Sequence, residues 1–332
     1  MEALALQVRE GELRLGSIPV PTPSRDQVLI KVAYCGICGS DLHGLETGLF
    51  EEGHIPGHEF SGIVEAVGPE ARDLRPGDRV TVDPLLNCGE CQACLEGQPQ
   101  RCQFLDTLGI TSPGAMAEYT VVRASNVHRL PEGVSLLEGA LTEPLSVALH
   151  AVDQSRLPQE EKEQRVLIWG GGTIGLLLLQ VVRQYTEAVA LVEPVEAKRT
   201  LAQRWTRHVY TPQDFWEVEE DLGIPSYIFE AVGKGEIIQD SMDLVAKGGK
   251  IVVVGLHTEA QEVDLLRLMY NEIQLVGTYA SRRDFPRALE LVAGGKVEVE
   301  PLVSALFPLR EGEKALEGAR KDEGAVKTML KM

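Results

Sequence analysis

The sequence lacks an apolar run long enough to cross a bilayer, since a transmembrane helix needs about 20 mostly apolar residues. Its longest candidate, residues 174–182, is short and follows a cluster of glycines. The first residues, 1–6, carry no basic segment of the kind that opens a secretory signal. We therefore expect a cytoplasmic protein with no membrane partner.

Positive charge is also scarce. Lys and Arg number 32 against 50 Asp and Glu, which gives a formal net charge of −18. A surface this acidic repels a phosphate backbone, so we expect no nucleic-acid partner. The 332 residues and the 44% hydrophobic content indicate a globular protein of two domains rather than a disordered chain.

Cysteine is absent after Cys102, and all six cysteines lie between Cys35 and that residue. In a reducing compartment, clustered cysteines indicate metal ligands before disulfides. Cys88, Cys91, Cys94 and Cys102 follow the spacing C-x2-C-x2-C-x7-C, whose short gaps let four thiolates converge on one tetrahedral ion. We interpret this segment as a structural zinc site, with an iron–sulfur cluster or a disulfide pair as the alternatives.

Two strand patterns divide the chain. Residues 1–148 contain short β-like runs between Gly and Pro turns, which predicts a compact β-rich domain. Residues 149–276 alternate apolar runs, such as 165–169 and 250–254, with helix-length segments. That alternation is typical of a parallel sheet covered on both faces. The sequence thus predicts an α/β protein, with a β-rich domain and a doubly wound parallel sheet.

A glycine motif follows the first strand of the predicted parallel sheet. Gly170, Gly172 and Gly175 match G-x-G-x-x-G and precede a helix. These glycines permit a tight turn, close backbone approach to a pyrophosphate, and close helix–strand packing. Glu193 lies about 20 residues further on. A carboxylate at this position accepts hydrogen bonds from the hydroxyls of the adenosine ribose and repels a 2′-phosphate. The pattern predicts NAD as the cofactor, in preference to NADP.

Residues of the two following helices extend the predicted cofactor site. Thr173 and Ile174 open the first helix, and a helix N-terminus favours the negative charge of the pyrophosphate. Lys198 and Arg199 lie just beyond the expected ribose position and either approach the adenosine, which leaves room for NADP as an alternative, or are simply solvated. The alternative to the whole site is a glycine-rich turn in an unrelated α/β fold.

A second set of metal-competent residues is scattered along the first half of the chain. Cys38, His58, Glu59 and Glu143 are all residue types that bind zinc, and an incomplete protein shell is what a catalytic zinc requires. Their spacing does not show that they meet. A buried structural role for each is the alternative, as is a redox pair between Cys35 and Cys38.

Together these motifs resemble the zinc-dependent medium-chain dehydrogenases of the alcohol dehydrogenase superfamily. The resemblance covers nearly the whole chain and is most specific for the polyol branch, typified by sorbitol dehydrogenase and its butanediol and threonine dehydrogenase relatives. It is carried by residues 36–41, 57–62, the four-cysteine segment, 143–150, 170–175, 247–255, 277–303 and 307–309.

The resemblance implies a GroES-like catalytic domain that is split between residues 1–148 and 277–332. The Rossmann domain, 149–276, is inserted between the two parts. It also implies two zinc ions per chain, NAD as cofactor, and a homodimer or homotetramer formed largely through the Rossmann sheets.

For the catalytic zinc, the resemblance implies Cys38 and His58 as direct ligands. Glu59 would be a third ligand, directly or through water. Glu143 would contact the zinc-bound water or move onto the metal. Asp41 would orient the ring of His58.

The implied reaction is hydride transfer from a secondary alcohol or polyol to NAD, which gives a ketone. The proton would leave through Ser40 and His43, or through a water held by Glu59 or Glu143. A threonine or sugar-phosphate dehydrogenase of the same superfamily is the first alternative. The second is a non-catalytic NAD-binding protein that holds only the structural zinc.

The small-molecule substrate is less well indicated than the reaction. Sorbitol dehydrogenases have an Arg-Tyr pair where this chain has Ala280 and Ser281, which argues against sorbitol itself. Arg282 and Arg283 follow, and either meet an anionic substrate group or face solvent.

Overall fold

A computed structural model of the chain describes residues 1–160 and 162–332. These residues divide into two compact units. Unit 1 comprises Met1–Glu143 and Arg282–Met332, and unit 2 comprises Pro144–Ser281. The domain boundaries predicted from the sequence, 148/149 and 276/277, differ from these junctions by a few residues.

The chain is built from short strands and helices. The strands are, in chain order, β1 (Glu2–Arg9), β2 (Glu12–Pro19), β3 (Gln27–Gly36), β4 (Glu59–Val67), β5 (Arg79–Val82), β6 (Leu85–Leu86), β7 (Asp106–Thr107), β8 (Tyr119–Arg123), β9 (Val127–Arg129), β10 (Val166–Trp169), β11 (Val189–Val192), β12 (Val209–Tyr210), β13 (Tyr227–Glu230), β14 (Lys250–Val253), β15 (Gln274–Gly277), β16 (Val303–Pro308) and β17 (Lys327–Lys331).

Helices are concentrated in the second half of the chain. They are α1 (Gly39–Glu46), α2 (Gln92–Leu95), α3 (Leu136–Ala140), α4 (Thr142–Ser155), α5 (Thr173–Val182), α6 (Glu196–Ala202), α7 (Glu217–Leu222), α8 (Gly235–Leu244), α9 (Leu265–Tyr270), α10 (Phe285–Ala293) and α11 (Gly312–Lys321). None of the helices in the described ranges reaches the length and apolar content of a bilayer-spanning segment.

Unit 1 is organised around a seven-stranded sheet of order β16-β17-β3-β4-β5-β9, with β8 also paired to β3. Alternate residues of β3 point to the core, where Val28, Ile30 and Val32 are buried, as the period of two in a strand requires. At the end of β3, Gly36 pairs with Glu59 of β4 and with Met329 of β17. Three distant parts of the chain therefore meet at one sheet position.

Unit 2 contains a six-stranded parallel sheet of order β12-β11-β10-β13-β14-β15. Strands β10, β11 and β13 are buried at every residue, which explains why their sequences are apolar up to Glu230 at the end of β13. The strand order runs outward in opposite directions from β10 and β13. The boundary between those two strands is the switch point at whose carboxyl end a doubly wound sheet binds its ligand. The predicted α/β class is confirmed.

Candidate active site and metal centres

The four clustered cysteines converge in unit 1. Their Sγ atoms lie 3.9 Å apart for Cys88–Cys94, 3.5 Å for Cys91–Cys94, 3.8 Å for Cys91–Cys102 and 3.5 Å for Cys88–Cys102. A tetrahedral zinc with Zn–S bonds of about 2.3 Å separates its sulfur ligands by about 3.8 Å. A disulfide requires about 2.05 Å, and all four residues are free thiols. The cluster fits one four-thiolate ion and no disulfide.

Backbone amides surround this cluster and donate to the sulfurs. The N–H of Cys91 lies 3.3 Å from Cys88 Sγ, and the N–H of Phe104 lies 3.3 Å from Cys102 Sγ. Backbone donors from Cys94 and Gln103 lower the pKa of the Cys91 thiol. Because the thiolate is the form that binds metal, these amides favour binding.

Three of the four predicted catalytic-zinc ligands meet in a second cluster of unit 1. One ligand atom each from Cys38, His58 and Glu59 lies within 4.8 Å of the others. Cys38 directly precedes α1, His58 directly precedes β4, and Glu59 is the first residue of β4. Glu143, in the first turn of α4, is outside that group of three. It is buried as well, and it lies near enough for the charges of His58 and Glu59 to act on its pKa, which burial raises.

Lys327 is a site residue that sequence reasoning missed. Its Nζ lies 2.8 and 2.7 Å from the two carboxylate oxygens of Glu59, and it donates to the backbone oxygen of Ile37 at 3.2 Å. The Lys327 and Glu59 side chains are only 4% and 2% exposed. Two charges buried this deeply are stable only as a pair. Lys327 is therefore part of the cluster, as the counter-ion of Glu59.

Asp41 supports the cluster from α1. Its Oδ2 accepts the backbone N–H of Cys38 at 2.8 Å. Its Oδ1 lies 3.6 Å from His58 Nδ1, beyond hydrogen-bond range, and both atoms are buried with no hydrogen-bond partner among the residues that the structure describes. Asp41 thus holds the backbone of Cys38 and places a carboxylate beside the ring of His58.

Charge also sets the protonation of His58. Burial opposes the protonated imidazole, but the charges of Asp41 and Cys38 outweigh it and raise the pKa of His58 well above its ordinary value. A metal must displace that proton before it can bind the ring. Metal affinity at this cluster is therefore expected to rise with pH.

Ser40 and His43 lie three residues apart on α1, which places them on the same side of the helix, and both are partly buried. Among residues 1–160 and 162–332, no hydrogen bond joins their side chains. The proton relay thus stays a prediction. Cys35 is fully buried in the unit 1 core, as expected of a residue outside the ligand set.

The glycine motif of unit 2 forms a tight cradle. Gly170 has a φ of +97°, and a Cβ at Gly175 would lie 1.8 Å from the Gly170 carbonyl oxygen, so both positions require glycine. A Cβ at Gly172 would meet nothing within 4 Å. Helix α5 begins directly afterwards with Thr173 and Ile174. Open space beside a helix N-terminus fits a bound pyrophosphate.

Glu193 lies at the end of β11 and is 5% exposed. One carboxylate oxygen accepts the N–H of Gly171 at 2.6 Å and the other accepts the N–H of Val195 at 2.8 Å. Glu193 thus also fixes the glycine turn, which the motif did not reveal. Lys198 and Arg199 follow on α6, and Arg199 donates to the backbone oxygen of Glu193 at 2.9 Å.

Comparison with known proteins identifies the family. The model of the alcohol dehydrogenase GroES-like domain matches residues 24–132, and that of the zinc-binding dehydrogenase matches residues 173–294. The chain is 35% identical over 301 residues to 2-dehydro-3-deoxy-L-galactonate 5-dehydrogenase of Pseudoalteromonas atlantica, which covers 87% of this chain and 86% of the relative. The chain belongs to the zinc-binding alcohol dehydrogenases. This dehydrogenase is also 31% identical over 325 residues to sorbitol dehydrogenase of Bacillus subtilis, covering 93% and 90%.

A solved structure of similar fold holds a nicotinamide cofactor. It is the NADH complex of an alcohol dehydrogenase of Escherichia coli CFT073, with a TM-score of 0.93, 27% identity, and coverage of 100% of this chain and 99% of that one. These findings confirm the predicted family, including its polyol relatives, and the GroES-like plus Rossmann architecture. The dehydrogenase is a zinc- and NAD(H)-dependent oxidoreductase of the polyol and sugar dehydrogenase type.

Proposed function

We propose that the dehydrogenase oxidises a secondary hydroxyl of a sugar-derived alcohol or polyol to a ketone, with NAD as hydride acceptor. The observation that carries this proposal is the buried cluster of Cys38, His58 and Glu59 with its Lys327 counter-ion. The relatives support the substrate class, since their names specify sorbitol and a sugar acid.

We assign Cys38 and His58 as ligands of the catalytic zinc. Zinc bound there would lower the pKa of an alcohol hydroxyl. Lys327 offsets the charge of Glu59, so a zinc ion held there would keep more of its positive charge for the substrate. Because both oxygens of Glu59 accept from Lys327, we assign Glu59 to the surroundings of the metal rather than to its direct ligands.

The substrate proton needs an acceptor near the cluster. Burial raises the pKa of Glu143 to about 7, which suits a group that takes up a proton near neutral pH. We propose Glu143 as that acceptor and the Ser40–His43 pair on α1 as a second route to solvent. If Ser40→Ala lost as much activity as Glu143→Gln, the Ser40–His43 pair would have to be the main route for the proton and not the second one.

NAD would accept the hydride from the alcohol carbon. The turn from Gly170 to Gly175 would hold the pyrophosphate, and the carboxylate of Glu193 would disfavour a 2′-phosphate. We therefore propose that NADH binds more tightly than NADPH, which a fluorescence titration with both cofactors tests.

Assembly is proposed to use the free edge of the unit 2 sheet. Strand β15 is the last strand of that sheet, and the neighbouring helix α9 contains no buried residue. This stretch exposes several large apolar side chains, which supports its proposed role as a protein–protein contact, and a strand at the edge of a sheet is itself open to pairing. A homodimer would cover both. The side chains are Leu265, Leu266, Met269, Tyr270, Leu275 and Tyr279.

Elemental analysis and a substrate panel test the proposal together. We expect two zinc ions per chain, falling to one in Cys38→Ser. We expect NADH formation with at least one of the diols, sugar alcohols, sugar phosphates and sugar acids in the panel. One zinc per chain in both proteins, with no turnover of any substrate, would favour the non-catalytic alternative.

A further inference from the structure

Glu230 and His257 form a side-chain pair that the mechanism above does not use. Glu230 is the last residue of β13, and His257 follows β14 by four positions. Their strands are neighbours in the parallel sheet, and Glu230 pairs in register with Trp169, just before the glycine turn. The pair therefore lies at the carboxyl edge of the sheet, beside the switch point.

The carboxylate of Glu230 is completely buried and has three donors. One oxygen accepts the backbone N–H groups of Val232 at 2.7 Å and Gly233 at 2.6 Å. The other oxygen lies 2.9 Å from Nε2 of His257. This contact places a proton on Nε2 and fixes the orientation of the imidazole ring.

The second ring nitrogen of His257 has no partner. Nδ1 is buried, and no hydrogen bond reaches it in the described part of the chain. A buried polar atom on a ring that another residue holds in place indicates a partner that arrives with a ligand.

Close packing ties the pair to the cofactor cradle. A Cβ at Gly255 would lie 2.7 Å from the carboxylate of Glu230 and 2.2 Å from the backbone nitrogen of Gly233. A Cβ at Gly170 would lie 3.0 Å from Val232. The loop that follows β13 thus contacts both the histidine-bearing loop and the first glycine of the cofactor motif.

The order of the strands indicates which half of the cofactor lies near Glu230 and His257. Glu193, which marks the adenosine side, ends β11 on one side of β10. Strands β13 and β14 lie on the other side, where a dinucleotide places its second mononucleotide. In NAD that half consists of the nicotinamide and its ribose.

We propose that Nδ1 of His257 hydrogen-bonds to a hydroxyl of the nicotinamide-side ribose, and that Glu230 positions the ring for this contact. A ribose hydroxyl can donate to a neutral Nδ1 and can also accept from a protonated one. The inference rests on NAD binding by unit 2 and adds a recognition contact outside the glycine motif.

Binding of three ligands to the zinc-loaded enzyme, measured by calorimetry, tests the proposal. ADP-ribose contains the second ribose without the nicotinamide, and ADP contains neither. We expect His257→Ala to weaken NADH and ADP-ribose about fivefold, equivalent to about 1 kcal/mol, and to leave ADP binding unchanged. Unchanged ADP binding also shows that the variant is folded.

Two further variants sharpen the test. His257→Asn places an amide oxygen near the position of Nδ1, and we expect it to recover part of the lost affinity. His208→Ala is the matched control, because His208 precedes β12 at the amino edge of the same sheet and should change none of the three affinities.

Three results would overturn the proposal. They are unchanged affinity for all ligands, equal weakening of ADP, and weakening of NADH alone, which would place the contact on the nicotinamide ring. Failure of the unmodified enzyme to bind NADH would instead count against the proposed function, so the two failures are distinguishable.

Discussion

Lys327→Met should destabilise unit 1, because it leaves the Glu59 carboxylate buried without its cation. Both side chains are almost fully buried, and both carboxylate oxygens lie within 2.8 Å of the ammonium nitrogen. Removing one partner of such a pair typically costs about 3–5 kcal/mol, since the remaining charge is neither solvated nor paired. We expect a loss in free energy of unfolding of that size.

A second variant separates the charge effect from the loss of packing. In Lys327→Met/Glu59→Gln both charges are gone, and replacing a whole buried pair is often close to neutral. We expect the double variant to be at least about 2 kcal/mol more stable than Lys327→Met alone. With the single variant Glu59→Gln measured as well, the four proteins form a double-mutant cycle that gives the coupling energy of the pair.

The distribution of cysteine and tryptophan supplies the assay. All six cysteines lie in unit 1, while Trp169, Trp205 and Trp216 all lie in unit 2. In one urea series, thiol labelling therefore follows the unfolding of unit 1, and tryptophan fluorescence gives an internal reference from unit 2. A labelling transition in Lys327→Met that shifts by less than about 1 kcal/mol, or a double variant as unstable as the single, would refute the reasoning.

Three other predictions concern different parts of the molecule. Cys91→Ser should lower the zinc content from two ions per chain to one while NADH binding persists, and retention of two ions in elemental analysis would contradict the four-thiolate assignment. His128 stacks on Phe285 at 5.3 Å, and burial lowers its pKa. The unfolded chain therefore takes up the proton more readily, and stability conferred by the neutral ring is lost as pH falls below about 6.5. His128→Phe should lose less free energy of unfolding than the parent between pH 7.5 and 5.5, and equal losses in urea titrations would refute this. Met269→Glu should shift the mass measured by light scattering from dimer toward monomer, and an unchanged mass would exclude the α9–β15 surface as the contact.

The parts of the fold and the site that the sequence predicted correctly are those that depend on residues close together along the chain. The fully buried strands β10 and β11 appear as unbroken apolar runs because both of their faces are covered, and β13 departs from this only at Glu230. The glycine turn is recognisable because its geometry tolerates no side chain at Gly175. The cysteines of the four-thiolate cluster lie within one short segment, so their spacing alone indicates a common ion.

What the sequence did not reveal depends on pairing between distant segments. Lys327 and Glu59 are 268 positions apart and meet only because β17 pairs with β3 at the point where β4 begins. No local pattern distinguishes that lysine from the exposed Lys331 at the other end of the same strand. The contact of Glu230 with His257 was missed for the same reason, since Glu230 ends β13 and His257 lies in the loop after the adjacent strand β14, and no single motif specifies that these strands are neighbours.

The position of β17 has a consequence for synthesis on the ribosome. Unit 2 is one continuous stretch, so its sheet can be completed while later residues are still being added. Unit 1 cannot be completed then, because β17 lies between β16 and β3 and supplies the cation for Glu59. Until residues 327–331 emerge, the nascent chain carries an open edge on β3 and an unpaired carboxylate. The metal-binding half of the enzyme, although mostly made first, must therefore be the half that matures last.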